Sequence, residues 1–179
     1  DGEDSAEISA YDPATHRLFV TNGALDEVTV FDISDIHSPT RIGAVNCPNP
    51  GSPNSVAVKN GILAVALSAP NAQENGFVEF FDTATLDEIG SAQVGALPDM
   101  VAFTPNGKYV LSANEGEPND DYSIDPPGSV SIVEVATQQT TTLDFIAFNG
   151  QETALEAEGF RVFGPNADLA TDVEPEFLT

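Results

Sequence analysis

The sequence predicts an all-β fold: a β-propeller of about three four-stranded blades, the start of a fourth, and one short helical insertion between blades three and four. Three observations predict it. A unit of four short strands recurs at intervals of about 45 residues. Turn residues punctuate each unit, and the strands between them are rich in Val, Ile and Phe. A β-sandwich would account for the turns but not for the common period.

The first strands read as Glu7-Ile8-Ser9-Ala10-Tyr11, Asn54-Ser55-Val56-Ala57-Val58 and Asp99-Met100-Val101-Ala102-Phe103, each a polar residue followed by a short apolar stretch. Each is closed by a turn signal: Asp12-Pro13-Ala14-Thr15, Lys59-Asn60-Gly61 and Thr104-Pro105-Asn106-Gly107. Second strands follow at Arg17 to Asn22, Ile62 to Leu67 and Lys108 to Asn114. Third strands follow at Val28 to Asp32, Phe77 to Asp82 and Val130 to Glu134. The fourth strands, Thr40 to Val45, Glu88 to Val94 and Thr141 to Phe145, are less apolar. The near-continuous apolar character of the innermost strands is expected of strands buried on both faces.

These boundaries place blade one at about 6–47, blade two at 53–95, blade three at 98–146, an insertion at 147–175 and the start of blade four at 176–179, where Glu176-Phe177-Leu178-Thr179 repeats the first-strand pattern. Within the insertion, Asn149 to Gly159 is predicted to be a helix. Asn149 is its expected N-cap, Glu152 completes a capping box, and Gly159 is the stop. The remainder reads as an ordered loop. Three blades leave open strand edges, so the chain is expected to be part of a longer polypeptide or to close with copies of itself.

Composition excludes several classes of partner. There are 29 Asp plus Glu against 5 Lys plus Arg, a net charge of −24. Such a surface repels nucleic-acid phosphate and anionic lipid, whose binding needs a basic footprint. The acids are scattered along the chain, which speaks against a disordered acidic tail. Either the surface is solvated and screened by salt, or some carboxylates are neutralised by divalent cations, Ca²⁺ above all. No apolar run approaches the roughly 20 residues needed to span a bilayer. The single cysteine, Cys47, forms no intrachain disulfide and belongs to no zinc cluster. The opening Asp1-Gly2-Glu3-Asp4-Ser5 has no Met and no signal peptide, as expected of a trimmed secreted product.

The stretches Ala6 to Asp12, Leu97 to Val101, Ala113-Asn114-Glu115-Gly116-Glu117-Pro118-Asn119-Asp120-Asp121-Tyr122 and Asp172-Val173-Glu174-Pro175-Glu176 resemble the choice-of-anchor I proteins. That resemblance covers essentially the whole chain. It implies a secreted bacterial propeller of the YVTN-like class, related to mesenchyme-specific cell-surface glycoproteins and to alkaline phosphatase-like propellers. It further implies a longer propeller displayed at the surface through a C-terminal anchor.

In a propeller the loops joining second to third strands share a face with the inter-blade connections, and loops on a rigid scaffold carry function. The largest elaborations fall there. They are the loop Glu115 to Gly128, carrying Glu115, Glu117, Asp120, Asp121 and Asp125, and the insertion, ending in Asp172, Glu174 and Glu176. The first residues of the innermost strands, Glu7, Asn54, Asp99 and Glu176, are expected to ring the mouth of the central channel. Hard oxygen donors of this kind suit Ca²⁺, at that mouth or in the Glu115 to Asp125 loop. The competing reading is a solvated rim whose carboxylates cap turns. His16 and His37 fall in or beside turns and are expected to be exposed, and Cys47 is expected to be structural. Asp32 and Asp82 are expected to cap the third strands through side-chain to backbone bonds.

No nucleophile, base or metal triad stands out. The leading expectation is therefore a binding or scaffold module, secreted or at the bacterial cell surface, offering an acidic face to a protein, glycan or matrix component, or to the rest of its own propeller. The alternative is a metal-dependent phosphatase or phosphodiesterase using carboxylates around Asp99, Glu115, Glu174 and Glu176. It is short of phosphate-binding groups, with Arg161 the one basic residue placed near that face.

Overall fold

The computed structural model describes residues 6–165 and 168–179. Twelve strands form three separate four-stranded antiparallel sheets, each with its strands side by side in chain order. Blade one holds β1 (Ser9–Asp12), β2 (Arg17–Asn22), β3 (Glu27–Asp32) and β4 (Thr40–Val45). Blade two holds β5 (Ser52–Lys59), β6 (Ile62–Ser68), β7 (Asn75–Asp82) and β8 (Glu88–Ala96). Blade three holds β9 (Pro98–Phe103), β10 (Tyr109–Asn114), β11 (Ser129–Glu134) and β12 (Gln139–Asp144). This is a partial β-propeller. Local chemistry explains the hairpins: β5 and β6 are joined by Asn60-Gly61 alone, both at positive φ, as a two-residue turn matching the strand twist demands.

The core lies between blades. Phe19, Val28, Val30 and Val45 of blade one pack against Val56, Leu63, Val65 and Phe81 of blade two. The opposite face of blade two, with Ala64, Ala66, Val78, Phe80 and Val94, packs against Val101, Val110 and Val133 of blade three. Each fully buried Phe, Leu or Val contributes roughly 1.5–3 kcal/mol. Alternation thus serves both neighbours of blade two. The continuous burial expected of the innermost strands lies one strand out: Leu63 to Ser68 of β6 are all buried, while β5 alternates and β1 is largely exposed. In blade two, which is flanked by a blade on each face, the second strand is the one covered on both sides.

Polar latches join the same blades. Buried Asp12 accepts hydrogen bonds from Thr83 Oγ1 at 2.7 Å, Thr15 Oγ1 at 2.8 Å and the Ala14 amide at 3.1 Å. Arg17 donates to the Thr83 and Ala84 carbonyls, each at 2.6 Å. Burial pushes the Asp12 carboxyl up, but the Thr83, Thr15 and backbone donors outweigh it and hold it below the usual carboxylate range. Thr83→Val keeps the volume and removes the donor, so it is expected to cost about 2 kcal/mol in urea unfolding at pH 7. A group with a depressed folded pKa stabilises above its unfolded value, so the penalty should shrink as pH falls through the acid range. An unchanged midpoint at pH 7 would show that the latch is idle.

The turn assignments at Asp32 and Asp82 are met: Asp32 accepts from the Ser34 amide at 2.8 Å, and Asp82 from the Ala84 and Thr85 amides at 2.8 Å. The insertion departs from expectation. Its first helix, α1, is shorter (Glu152–Ala157) and has Gln151, not Asn149, at the N-cap position with no side-chain cap. Glu152 accepts from the Gly150 amide instead. Asn149 is drawn away to brace a second helix, α2 (Leu169–Asp172), accepting from the Ala170 amide at 3.0 Å and donating to the Asp168 carboxylate. That helix lies where a loop was expected. Its signal was the pair Asp168 and Thr171, which form a reciprocal capping box.

The chain end forms no strand, but it makes one contact like that of an inner strand. The Val101 amide donates to Ser55 Oγ in the preceding blade at 3.3 Å, and the Leu178 amide donates to Met100 Sδ at 3.1 Å, one blade further on. Gly76 abuts Pro98, and Gly128 abuts Pro175, so closely that an added Cβ would lie within 2.8 Å of the proline ring in both cases.

Candidate functional site

The β10–β11 loop and the insertion come together on one side of blade three. The Gly128 amide donates to the Ala170 carbonyl at 2.9 Å, tying the loop's end to α2. Across the other flank, Gln73 of blade two donates to the Glu117 carbonyl at 3.2 Å. These ties bring the carboxylates of the loop to those of the insertion.

Electrostatics shows which acids share a neighbourhood. Burial, then repulsion from Asp99, Glu117, Glu176 and Glu174, pushes the Glu115 carboxyl up to about 7. Asp99 is raised by burial and by Glu176, Glu7 and Glu117. Glu174 is raised by burial, then by Glu117, Asp172, Asp125 and Glu176. Asp99 thus lies within electrostatic reach of both Glu7 and Glu176. Asn54, the neutral member of that set, is occupied: it donates to the Pro98 carbonyl at 3.1 Å and accepts from Ser68 at 3.5 Å.

The other loop acids divide. Asp125 and Glu174 line a cavity of about 460 Å³ together with Tyr122, Arg161, Phe163 and Asp172. Asp172 holds its wall, accepting from the Phe163 and Gly164 amides at 3.0 Å each. Asp120 and Asp121 lie apart, on a shallower hollow shared with Gln73 and Glu117. Asp121 caps a turn, accepting from the Ser123 amide at 3.1 Å, and bonds to Ser123 hold its carboxyl below the usual range. Among the described residues no group of three or more His, Cys, Asp or Glu is arranged to hold a metal ion. The donors therefore do not fit a preformed chelate.

His16 and His37 are exposed, His16 sharing a 3.1 Å hydrogen bond with the Tyr11 hydroxyl. Cys47 is half-buried against the core between blades one and two, and burial beside Glu79 pushes its thiol far up, away from nucleophilic reactivity. Sequence reasoning missed Glu79. It is the one fully buried carboxyl of the β7 strand, and Asn49 of the blade one to blade two connection donates to it through its amide at 2.9 Å and its side chain at 2.7 Å. An acid in an otherwise apolar Phe77 to Phe81 run was the available signal. The aromatic walls of the Asp125 cavity were also missed, because Tyr122 and Phe163 lie far apart in sequence and meet only through the fold.

Comparison with known proteins bears on the fold and the family. The choice-of-anchor I domain matches residues 7–179. No curated protein matches. Among solved structures, the chain is similar to hydrazine synthase of Kuenenia stuttgartiensis (TM-score 0.61, 21% identity, covering 77% of this chain and 37% of that one). It is also similar to a putative 6-phosphogluconolactonase of Bacteroides fragilis (0.58, 18%, 78% and 38%) and to a eukaryotic initiation factor (0.56, 15%, 81% and 33%). The chain thus spans about a third of the length of these propeller-like molecules, and at such identity the likeness concerns the fold alone. Among the described residues no helix is long and apolar enough to cross a membrane.

Proposed function

Since the chain belongs to the choice-of-anchor I family, we propose that it is a surface-associated β-propeller module that binds a cationic partner through the acidic face of blade three. The observation that carries this reading is the crowding of Asp99, Glu117, Glu174 and Glu176 about the partly buried Glu115, whose carboxyl is pushed up to about 7 by burial first and by their repulsion second. Like charges held together by the fold represent stored electrostatic energy that a bound cation releases. A net charge of −24 extends the attraction beyond the face and speeds encounter at low salt. The partner is a basic protein, glycan or matrix component, and Glu176 to Thr179 open a fourth blade continuing the ring. Ca²⁺ is held loosely and with water rather than in a cage, at dissociation constants on the order of 10⁻³ M.

The sign of the pH dependence follows. Glu115 is raised from 4.5 to about 7 in the folded protein, so its contribution is favourable below pH 4.5 and is lost as pH rises through about 7. After discounting for solvent screening, the loss is about 1 kcal/mol. Melting of the wild type should fall across that interval, and Glu115→Gln should flatten the fall. Millimolar CaCl₂ should raise the melting midpoint more at pH 8 than at pH 5. A calcium response equal at both pH values, or unchanged in Glu115→Gln, would remove the rim as the source.

A further inference from the structure

We infer that the cavity between the β10–β11 loop and the insertion binds an alkylammonium group, supplied by a partner's lysine side chain or by a free polyamine. This deepens the acidic-face reading and rests on it. The cavity is not merely acidic. Its walls include the rings of Tyr122 and Phe163, 47% and 79% exposed. Ring faces attract an ammonium, and their apolar surface accommodates a methylene stem.

Asp125 lines the cavity and is partly exposed, and its Oδ1 has no hydrogen-bond partner among the described residues. A carboxylate short of donors is costly, and an ammonium bearing three N–H groups supplies them to its cavity-facing side. Glu174 stands at the opening. The ion pairs among the described residues are Arg41 with Glu27 and Lys108 with Glu134, so neither Asp125 nor Glu174 is neutralised by one. Arg161 is turned over the Phe163 ring, 5.9 Å from its centre. Burial and repulsion from Asp172 and Asp168 also raise the Asp125 carboxyl.

Other ligands fit less well. Ca²⁺ takes six to eight oxygens. Both carboxylate oxygens of Asp172 already accept backbone amides, and much of the remaining wall is aromatic. An anion would meet three carboxylates and one guanidinium.

Calorimetric titration at about 50 mM salt, where surface charge is little screened, tests the proposal. The titrants are a lysine decapeptide, its fully acetylated form, spermine and CaCl₂. The proteins are the wild type, Tyr122→Ala, Asp125→Asn and, as a control, Asp87→Asn, an exposed acid in the β7–β8 turn of blade two outside the acidic face. The decapeptide is expected to bind, to weaken at least tenfold in either cavity variant, to change less than twofold in Asp87→Asn, and to lose binding on acetylation. Spermine binding with the same variant pattern identifies a free polyamine as a sufficient ligand, and decapeptide binding without it identifies a protein side chain. Unchanged binding in Tyr122→Ala, or competition by CaCl₂ at equal affinity, overturns the cavity while leaving the acidic face standing. Binding of neither cation overturns both. Since Tyr122 and Asp125 lie in a loop outside both blade cores, one variant that fails to fold leaves the other to decide.

Discussion

Glu79→Ala is expected to cost about 3 kcal/mol at pH 5, the largest single loss from a polar side chain in this protein. Three effects set the figure. Truncation leaves a cavity between the Phe77 and Phe81 surroundings of β7. It also strands the Asn49 amide and side-chain donors that now end on Glu79 Oε1 at 2.9 and 2.7 Å. Against these stands relief from burying an acid whose Oε2 has no partner among the described residues. The first two outweigh the third toward acid pH, where the raised carboxyl takes up its proton most readily. Burial pushes the Glu79 carboxyl up, and the Asn49 donors and the Cys47 thiol reverse only part of that. A raised folded pKa means that the stabilising contribution is complete below 4.5 and declines as pH rises toward the folded value. The cost of Glu79→Ala should therefore shrink in alkali. Glu79→Gln, which keeps an acceptor for Asn49, should melt close to wild type at pH 5 and above it at pH 8. Denaturant midpoints at the two pH values check this. A Gln variant weaker than wild type at pH 8 would mean that the charged form is the one the fold prefers.

Gly128→Ala is expected to detach the insertion from blade three, at about 3 kcal/mol where the backbone cannot give. A Cβ there would collide with the Val173 carbonyl and lie 2.8 Å from Pro175 Cδ. Both obstacles are backbone or ring, so no side chain can rotate aside. The same residue donates to the Ala170 carbonyl, so displacement also loosens α2. Limited proteolysis should then cut between Asn149 and Val173 at least tenfold faster while blades one and two stay protected. Unaltered cleavage would show that the insertion is held by other contacts.

The legible part of the fold was the part written in short-range terms. Hairpin turns such as Asn60-Gly61, strand alternation and the recurring unit each involve neighbours in sequence, and all twelve strands fall where those signals lie, within a few residues. The helix at the insertion was misread for the opposite reason. Asn149 has a cap's chemistry, but its competing partners at Asp168 and Ala170 lie a long way down the chain. An acidic rim is what topology predicts, but only Asn54 and Asp99 fall inside inner strands, in β5 and β9, while Glu7 precedes β1 and Glu176 lies outside any strand. The cavity around Asp125 does not follow from topology, because loop conformation rather than strand register brings Tyr122 to Phe163. Glu79 shares its strand face with Phe77 and Phe81, so its setting signals burial, but only the distant Asn49 connection shows what its carboxyl bonds to.

The two cores differ in what they share. Blade two contributes to both, whereas blades one and three each contribute to one. Stability in such an array behaves as a sum over adjacent pairs. Damage to blade two therefore breaks both of these junctions at once. Tolerance to substitution should accordingly be lowest at Phe80 and Phe81, back-to-back rings on β7 that each serve a different neighbour.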